Sequence, residues 1–348
     1  MAGANLGSVR VVKIDGMLGG SFDEIEDRAR ALEADGYDGG ATAETSHDPF
    51  FPLLLAARAT ERLELSTGVA IAFARTPMTM ASIANDLQLA SKGRFSLGLG
   101  SQIKPHIERR FSMPWSHPAA RMREFILGMR AIWAAWNGEE KLSFKGEFYT
   151  HTLMTPFFDP GPNPFGPPPV MLAAVGDLMT EVAGEVADGM ILHPFTTERY
   201  VREVTLPGLA RGFEKGGRTR ADFTLSLPVF AVTGTTDEEW ETARTGTKQQ
   251  IAFYGSTPGY HGVLRVHGWE DVGTKLNELS RKGEWVAMGE LITDEMLETF
   301  AVVAPPDALA AAILARYGEV VDRLNFDAPY KSDPDVWTSV VQQLKDAG

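Results

Sequence analysis

Short β-branched runs and helical patterns alternate along this chain eight times, and that order restricts the fold more than any other feature. The first run is Val9–Ile14. Ser21-Phe-Asp-Glu24 then reads as a capping box, whose two ends satisfy each other's orphan backbone N–H groups, opening a helix that Gly36 stops. Runs at Tyr37–Ala43, Leu63–Ile71 and Phe95–Leu99 read as strands two to four, with helices near 51–60 and from Pro77 to about Ser91 between them. The clearest helix is Pro118–Trp136. Met122, Phe125, Ile126, Met129, Ile132, Trp133 and Trp136 fall on one apolar stripe there, which predicts core packing and not a cofactor box. Strands five to eight are expected at Val170–Val175, Gly189–Leu192, Thr224–Val232 and Val320–Phe326. Helices follow at about 178–187, from Thr196, from a second capping box at Thr236-Asp-Glu-Glu239, and from Pro306 to about Tyr317.

Two segments interrupt the alternation, at about 138–169 and 254–300. In the first, a hairpin-like stretch at 142–150 leads into TPFFDPGPNPFGPPP, which holds 7 of the 21 prolines. A stiff spacer would suit that composition, but Phe157, Phe158 and Phe165 read as apolar anchors of an ordered loop packed on one domain. The second is irregular and mostly helical, and its STPGYHG segment suggests a mobile lid. With no composition break, residues 1–348 are expected to form a single (β/α)8 TIM barrel with insertions after strands four and seven. An open doubly wound sheet with an added helical domain is the alternative. A barrel directs attention to the loops after the strands' carboxyl ends, where its chemistry sits.

Composition narrows the chemistry. The 33 basic and 46 acidic residues leave a net charge of −13, which opposes a phosphate-backbone grip and attachment to an anionic membrane. The absence of cysteine excludes disulfides, thiolate nucleophiles and Cys-ligated metal centres. No apolar run approaches the roughly 18 residues of a membrane span, and no signal-peptide core is evident, so a cytoplasmic enzyme is expected. Phosphate-loop, GxSxG and HExxH motifs are missing, and Gly98-Leu-Gly100 lacks the third glycine of a dinucleotide fingerprint. The seven histidines, at 47, 106, 117, 151, 193, 261 and 267, show no metal-ligand spacing, so no metal site is expected.

At the expected strand ends, Glu44 and His47 place a carboxylate and an imidazole three residues apart, suited to acid–base work. His47 as a helix cap is an equal reading. Gly68 inside a β-branched strand suggests a bulge, or else ordinary barrel packing. Ser101 and Gln102 offer hydrogen bonds after strand four. Val175-Gly176-Asp177 precedes a helix whose N–H groups suit a phosphate, although Asp177 equally suits a plain cap.

Four features coincide here: a Gly-bearing third strand followed by ARTP, Gly93–Ser101 as GRFSLGLGS, the Phe144–Tyr149 hairpin FKGEFY, and Ala173-Ala-Val-Gly176 followed by Ala187-Asp-Gly-Met-Ile191. Together they resemble the bacterial-luciferase-like superfamily, most closely its branch of oxidoreductases using the deazaflavin coenzyme F420. The resemblance runs from about residue 9 to 330. It implies a barrel that binds a flavin-type ring in its mouth and transfers hydride there. In that family a strand-three bulge, often with a non-proline cis peptide, backs the ring; Gly68, Val69 and Ile71 occupy that place. The acidic ring contact maps to Glu44, further contacts to Ser101, Gln102 and His106, and the phosphate loop to Val175, Gly176 and Leu178. Thr45 stands where relatives carry a catalytic His, and Ile103 where they carry a Glu, so His47 and Glu108 are the neighbours able to assume those roles. Leu192-His193-Pro194 replaces a polar turn, which argues against a sugar phosphate. The expectation is therefore an F420-dependent enzyme, commonly a homodimer in such families, acting on a small uncharged or weakly polar organic molecule. The alternatives are an FMN-dependent two-component monooxygenase and a non-catalytic flavin-binding barrel.

Overall fold

Eight parallel strands form the core of the computed structural model, which describes residues 12–347. They are β1 (Lys13–Met17), β2 (Gly39–Thr42), β3 (Glu64–Thr67, resuming at Ala70–Ile71), β4 (Phe95–Gly100), β5 (Val170–Ala173), β6 (Gly189–Ile191), β7 (Thr224–Val232) and β8 (Arg323–Asp327). Each pairs in parallel with the next, β8 pairs β1, and β6 pairs β7, so the sheet closes on itself as a (β/α)8 barrel. The expected first strand at Val9–Ile14 lies partly outside the described residues. Strand eight begins and ends later than its apolar pattern suggests, because Val320 and Val321 are buried in the turn that leads into it.

The helices relevant to the site are α1 (Ile25–Ala34), α2 (Phe50–Ala59), α3 (Pro77–Ala90), α4 (Lys104–Arg109), α5 (Pro118–Trp136) and α6 (Asp177–Val186). Two of these starts have a side-chain cause. Thr76 Oγ1 accepts from Thr79 N–H ahead of Pro77, and Asp48 Oδ1 accepts from Phe50 N–H at 2.9 Å. The stripe on α5 is buried throughout, as its period demands. Helix α4, the pairing of Val302–Val303 with β7, and the final helix Pro334–Asp346 were not expected from the pattern.

The chain divides into two compact units. One comprises Asp15–His193 with Arg199–Thr224, and its core includes Leu65, Leu97, Leu99, Val170, Leu172, Phe125 and Ile126. The other comprises, among the described residues, 12–14, Pro194–Glu198 and 225–347, with Leu227, Val229, Leu324, Phe300 and Ile313 buried. The 254–300 insertion is helical, with helices at His261–Arg265, Glu270–Lys282, Trp285–Glu290 and Asp294–Phe300.

The proline-rich loop is held differently from expectation. Phe157 and Phe158 are 88% and 73% exposed and pack edge-to-face on each other, so they are not anchors. Asn163 is: its amide donates to Asn85 Oδ1 and to the Asn85 carbonyl, at 2.9 and 3.1 Å. Phe165 lies against Gly93 and stays half-exposed. A hydrogen-bonded asparagine ties a loop down without burying apolar surface and leaves no hydrophobic signal in the sequence.

Candidate functional site

Strand β3 carries a defect that shapes what lies around it. Leu65 and Ser66 pair Phe95 and Ser96, whereas Ala70 and Ile71 pair Leu99 and Gly100, so β3 spends one residue more than β4 over the same stretch. That extra residue is a bulge, and the Gly68–Val69 peptide within it is cis. The neighbouring strand accommodates it with glycines. A side chain at Gly98 would overlap the Thr67 carbonyl, and one at Gly100 would meet Val69 Cγ2 at 2.7 Å. Thr67 Oγ1 stitches the two strands, donating to Gly98 O and accepting from Gly98 N–H, at 2.6 and 2.9 Å. Gly98-Leu-Gly100 is therefore a platform for the bulge and has no part in a dinucleotide turn.

Glu44 braces the same bulge from β2. Its N–H donates to Val69 O at 3.1 Å, and its Oε2 accepts from Ile71 N–H and from Arg75 Nη1, both at 2.7 Å. Arg75 also donates through Nη2 to Asp48 Oδ2 at 2.9 Å and lies over the Phe50 ring. Burial disfavours the guanidinium charge, but the hydrogen bonds and charges of Glu44 and then Asp48 outweigh it and raise the Arg75 pKa above its ordinary value. The loops after β2 and β3 thus form one ion-paired unit, with Glu44 already committed to the protein.

The groove proper lies at the ends of β4 and β5. It measures about 790 Å³ and is lined by Ser101–Pro105, Trp115, His117–Ala120 and Val175–Met179. Such a volume suits a cofactor-sized ligand. Helices α4, α5 and α6 all begin along this lining. Two of its residues, Gln102 and His117, hold left-handed φ angles of 60° and 41° without being glycine, a conformation that clusters at ligand sites. Gln102 keeps its turn by accepting from Ile103 N–H at 3.0 Å. Gly176 has φ 80° and ψ 159°, a region open essentially to glycine alone, and nothing lies within 4 Å of where a side chain would start. The first N–H groups of α6 follow directly, beside an open space. Ile103 and Leu178 are exposed apolar side chains on the lining, Trp115 packs edge-on to Phe73, and Lys104 is the cation there.

Ser101, Gln102, Val175, Gly176 and Leu178, proposed from the sequence, line this single groove. Gly68, Val69, Ile71 and Glu44 form the braced bulge. The remaining three lie elsewhere. His47 is exposed with its ring edge-on to Phe22 at 5.8 Å, His106 is exposed on α4, and Glu108 faces Lys104 at 3.8 Å on the exposed side of that helix. Arg110, just past α4, donates to the Thr45 carbonyl at 2.7 Å and so ties α4 to the loop bearing His47. The start of α5 was missed as lining. Its signal was Pro118 followed by Ala119 and Ala120, small residues ahead of the apolar stripe, which leave the helix end open. Among the described residues no cluster of three or more His, Asp or Glu side chains could hold a metal, and no helix is long and apolar enough to cross a membrane.

The chain as a whole is similar to known proteins. A protein of Mycobacterium tuberculosis (strain ATCC 25618 / H37Rv) is 56% identical over 319 residues, covering 92% of this chain and 94% of its own. The 5,10-methylenetetrahydromethanopterin reductase of Archaeoglobus fulgidus is 26% identical over 316 residues, covering 87% and 86%. Among solved structures, the coenzyme F420 dependent tetrahydromethanopterin reductase from Methanopyrus kandleri superposes with a TM-score of 0.77 at 18% identity, covering 98% of this chain and 99% of that one. A family description, luciferase-like monooxygenase, matches residues 7–323, which takes in the bulged strand, the glycine platform and the groove alike. The chain is a member of the luciferase-like monooxygenase family.

Proposed function

We propose that this protein is an oxidoreductase that binds coenzyme F420 and moves hydride between it and a small organic substrate. The observation that carries the reading is the groove of about 790 Å³ with an open glycine turn and a helix start at one end. Its apolar lining suits a fused ring, and the backbone N–H groups after Gly176 suit an anionic tail. Val175, Gly176 and Leu178 would hold the phosphate, and Ser101 and Gln102 would flank the ring. When bound, the deazaflavin supplies or receives the hydride at its own ring carbon.

The chain's residues do the rest. Arg75 and Glu44 keep the bulge in place, and Trp115 and Ile103 cover the groove and keep water out. His47, on the loop that Arg110 ties to α4 at the groove's edge, is the candidate for holding the proton that accompanies hydride, while Glu108 faces Lys104 instead. Gly176→Asp tests the phosphate turn: it imposes a side chain on a glycine-only backbone and puts a charge against the anion. Affinity for F420 should fall at least about tenfold, while the strained backbone lowers the melting temperature without preventing folding. Unchanged affinity contradicts the assignment.

A further inference from the structure

Strand β8 ends at Asp327, which stands beside Phe230 in the register of β7 and β8. Other carboxylates at or beside strand ends are engaged. Asp188 accepts from Arg130 Nη2 at 2.9 Å, Asp322 from Leu225 N–H at 2.7 Å, and Asp48 from Arg75. The half-buried Asp327 carboxylate has no such partner among the described residues. Burial alone pushes its pKa up to about 6, with no cation nearby to hold it down. Aromatic rings gather beside it instead. Tyr254, in the last turn of the helix Asp237–Gly255, is close enough that its phenol, pushed up to about 12 mainly by burial, also feels the Asp327 charge. The Tyr254 ring lies 6.3 Å from Phe230 and 6.4 Å from Tyr260, and Tyr260 is itself tilted against Phe195 at 6.1 Å. Gln250 hydrogen-bonds the Tyr254 phenol, and both phenols are raised, so Asp327 is the group of this cluster that titrates near neutrality.

An uncompensated carboxylate beside aromatic rings is attractive to one class of ligand, because ring quadrupoles and carboxylate both draw positive charge and partial burial strengthens both. We propose that Asp327, Tyr254 and Tyr260, backed by the buried Phe230, bind a cationic nitrogen, protonated or quaternary.

The test is calorimetric titration of the full chain, without cofactor, using choline and its neutral isostere 3,3-dimethylbutanol. At about pH 8 choline should bind at least tenfold more tightly, and Asp327→Asn should erase the difference. A cation prefers the ionised carboxyl, so choline affinity should fall by about tenfold per pH unit below about pH 6. Equal binding of the two probes, no choline binding, an unaffected Asp327→Asn variant, or tighter binding at acid pH would each overturn the site. If the variant fails to fold, the isostere comparison and the pH profile of the unaltered protein still decide. Because no cofactor is present, loss of the cation site leaves the F420 reading standing, and a failed cofactor titration leaves the cation site standing.

Discussion

Arg75 is the side chain on which the candidate site's geometry most depends. It is 14% exposed and faces a Glu44 carboxylate that is 6% exposed, so this is a buried pair, not a surface one. Removing Arg75 leaves the buried Glu44 carboxylate with Ile71 N–H but without a counter-charge. Arg75→Gln should cost about 3 kcal/mol in chemical denaturation, and a loss under about 0.5 kcal/mol, the scale of an exposed pair, would show that Glu44 is held by other means. His47→Ala addresses chemistry instead. Turnover should drop by about a hundredfold, the low end of general acid–base contributions, with F420 affinity unchanged; equal turnover removes His47 from the mechanism. Glu44 was legible as a site residue because an acid at a strand's carboxyl end is conspicuous. Its commitment to Arg75 was not, since a pairing between loops thirty residues apart leaves no local pattern.

At the scale of elements, packing of β3 on β4 decides what the glycines mean. Gly98→Ala would drive a methyl into the Thr67 carbonyl, and the bulge has no slack to yield. A loss of about 1–3 kcal/mol is expected in thermal or denaturant melts, and a neutral substitution would mean that the strands are further apart than described. Glu33 shows how a helix fixes a strand entry. From α1 it accepts from the N–H groups of Arg62 and Leu63, at 2.6 and 2.8 Å, just ahead of β3. Burial raises its pKa, but these bonds, with Glu61 N–H, more than offset it, and the folded value is lowered. The contribution is therefore present above the ordinary carboxylate value of about 4.3 and disappears as pH falls through the lowered folded value. Glu33→Gln should cost about 1 kcal/mol at pH 7, and the gap to the unaltered protein should narrow as pH falls through the lowered folded value. A gap independent of pH would assign the loss to packing. Helix α5 was legible end to end, because periodicity and Pro118 speak locally. The proline-rich loop is packed on one unit as expected, but its anchors were misread, because Asn163 does by hydrogen bonding what Phe157 and Phe158 were expected to do by burial.

For the whole molecule, the barrel could be read from the order of strands and helices, since a parallel strand must be followed by a crossover and eight such units close. The site was only half readable. Residues contributed by strand ends, such as Ser101 and Gly176, sit where the fold rule puts them, while His117 enters the groove from a helix start that no strand rule addresses. The central claim, that the groove beside Gly176 takes a deazaflavin, is tested most directly by titrating the apoprotein with F420 and with FMN and following ring fluorescence. The account predicts saturable F420 binding that Gly176→Asp weakens, with FMN bound at least about tenfold less tightly, a gap of about 1.4 kcal/mol. Tight FMN binding with no F420 binding would contradict it and favour an oxygen-using flavin enzyme, and binding of neither would remove the redox reading altogether.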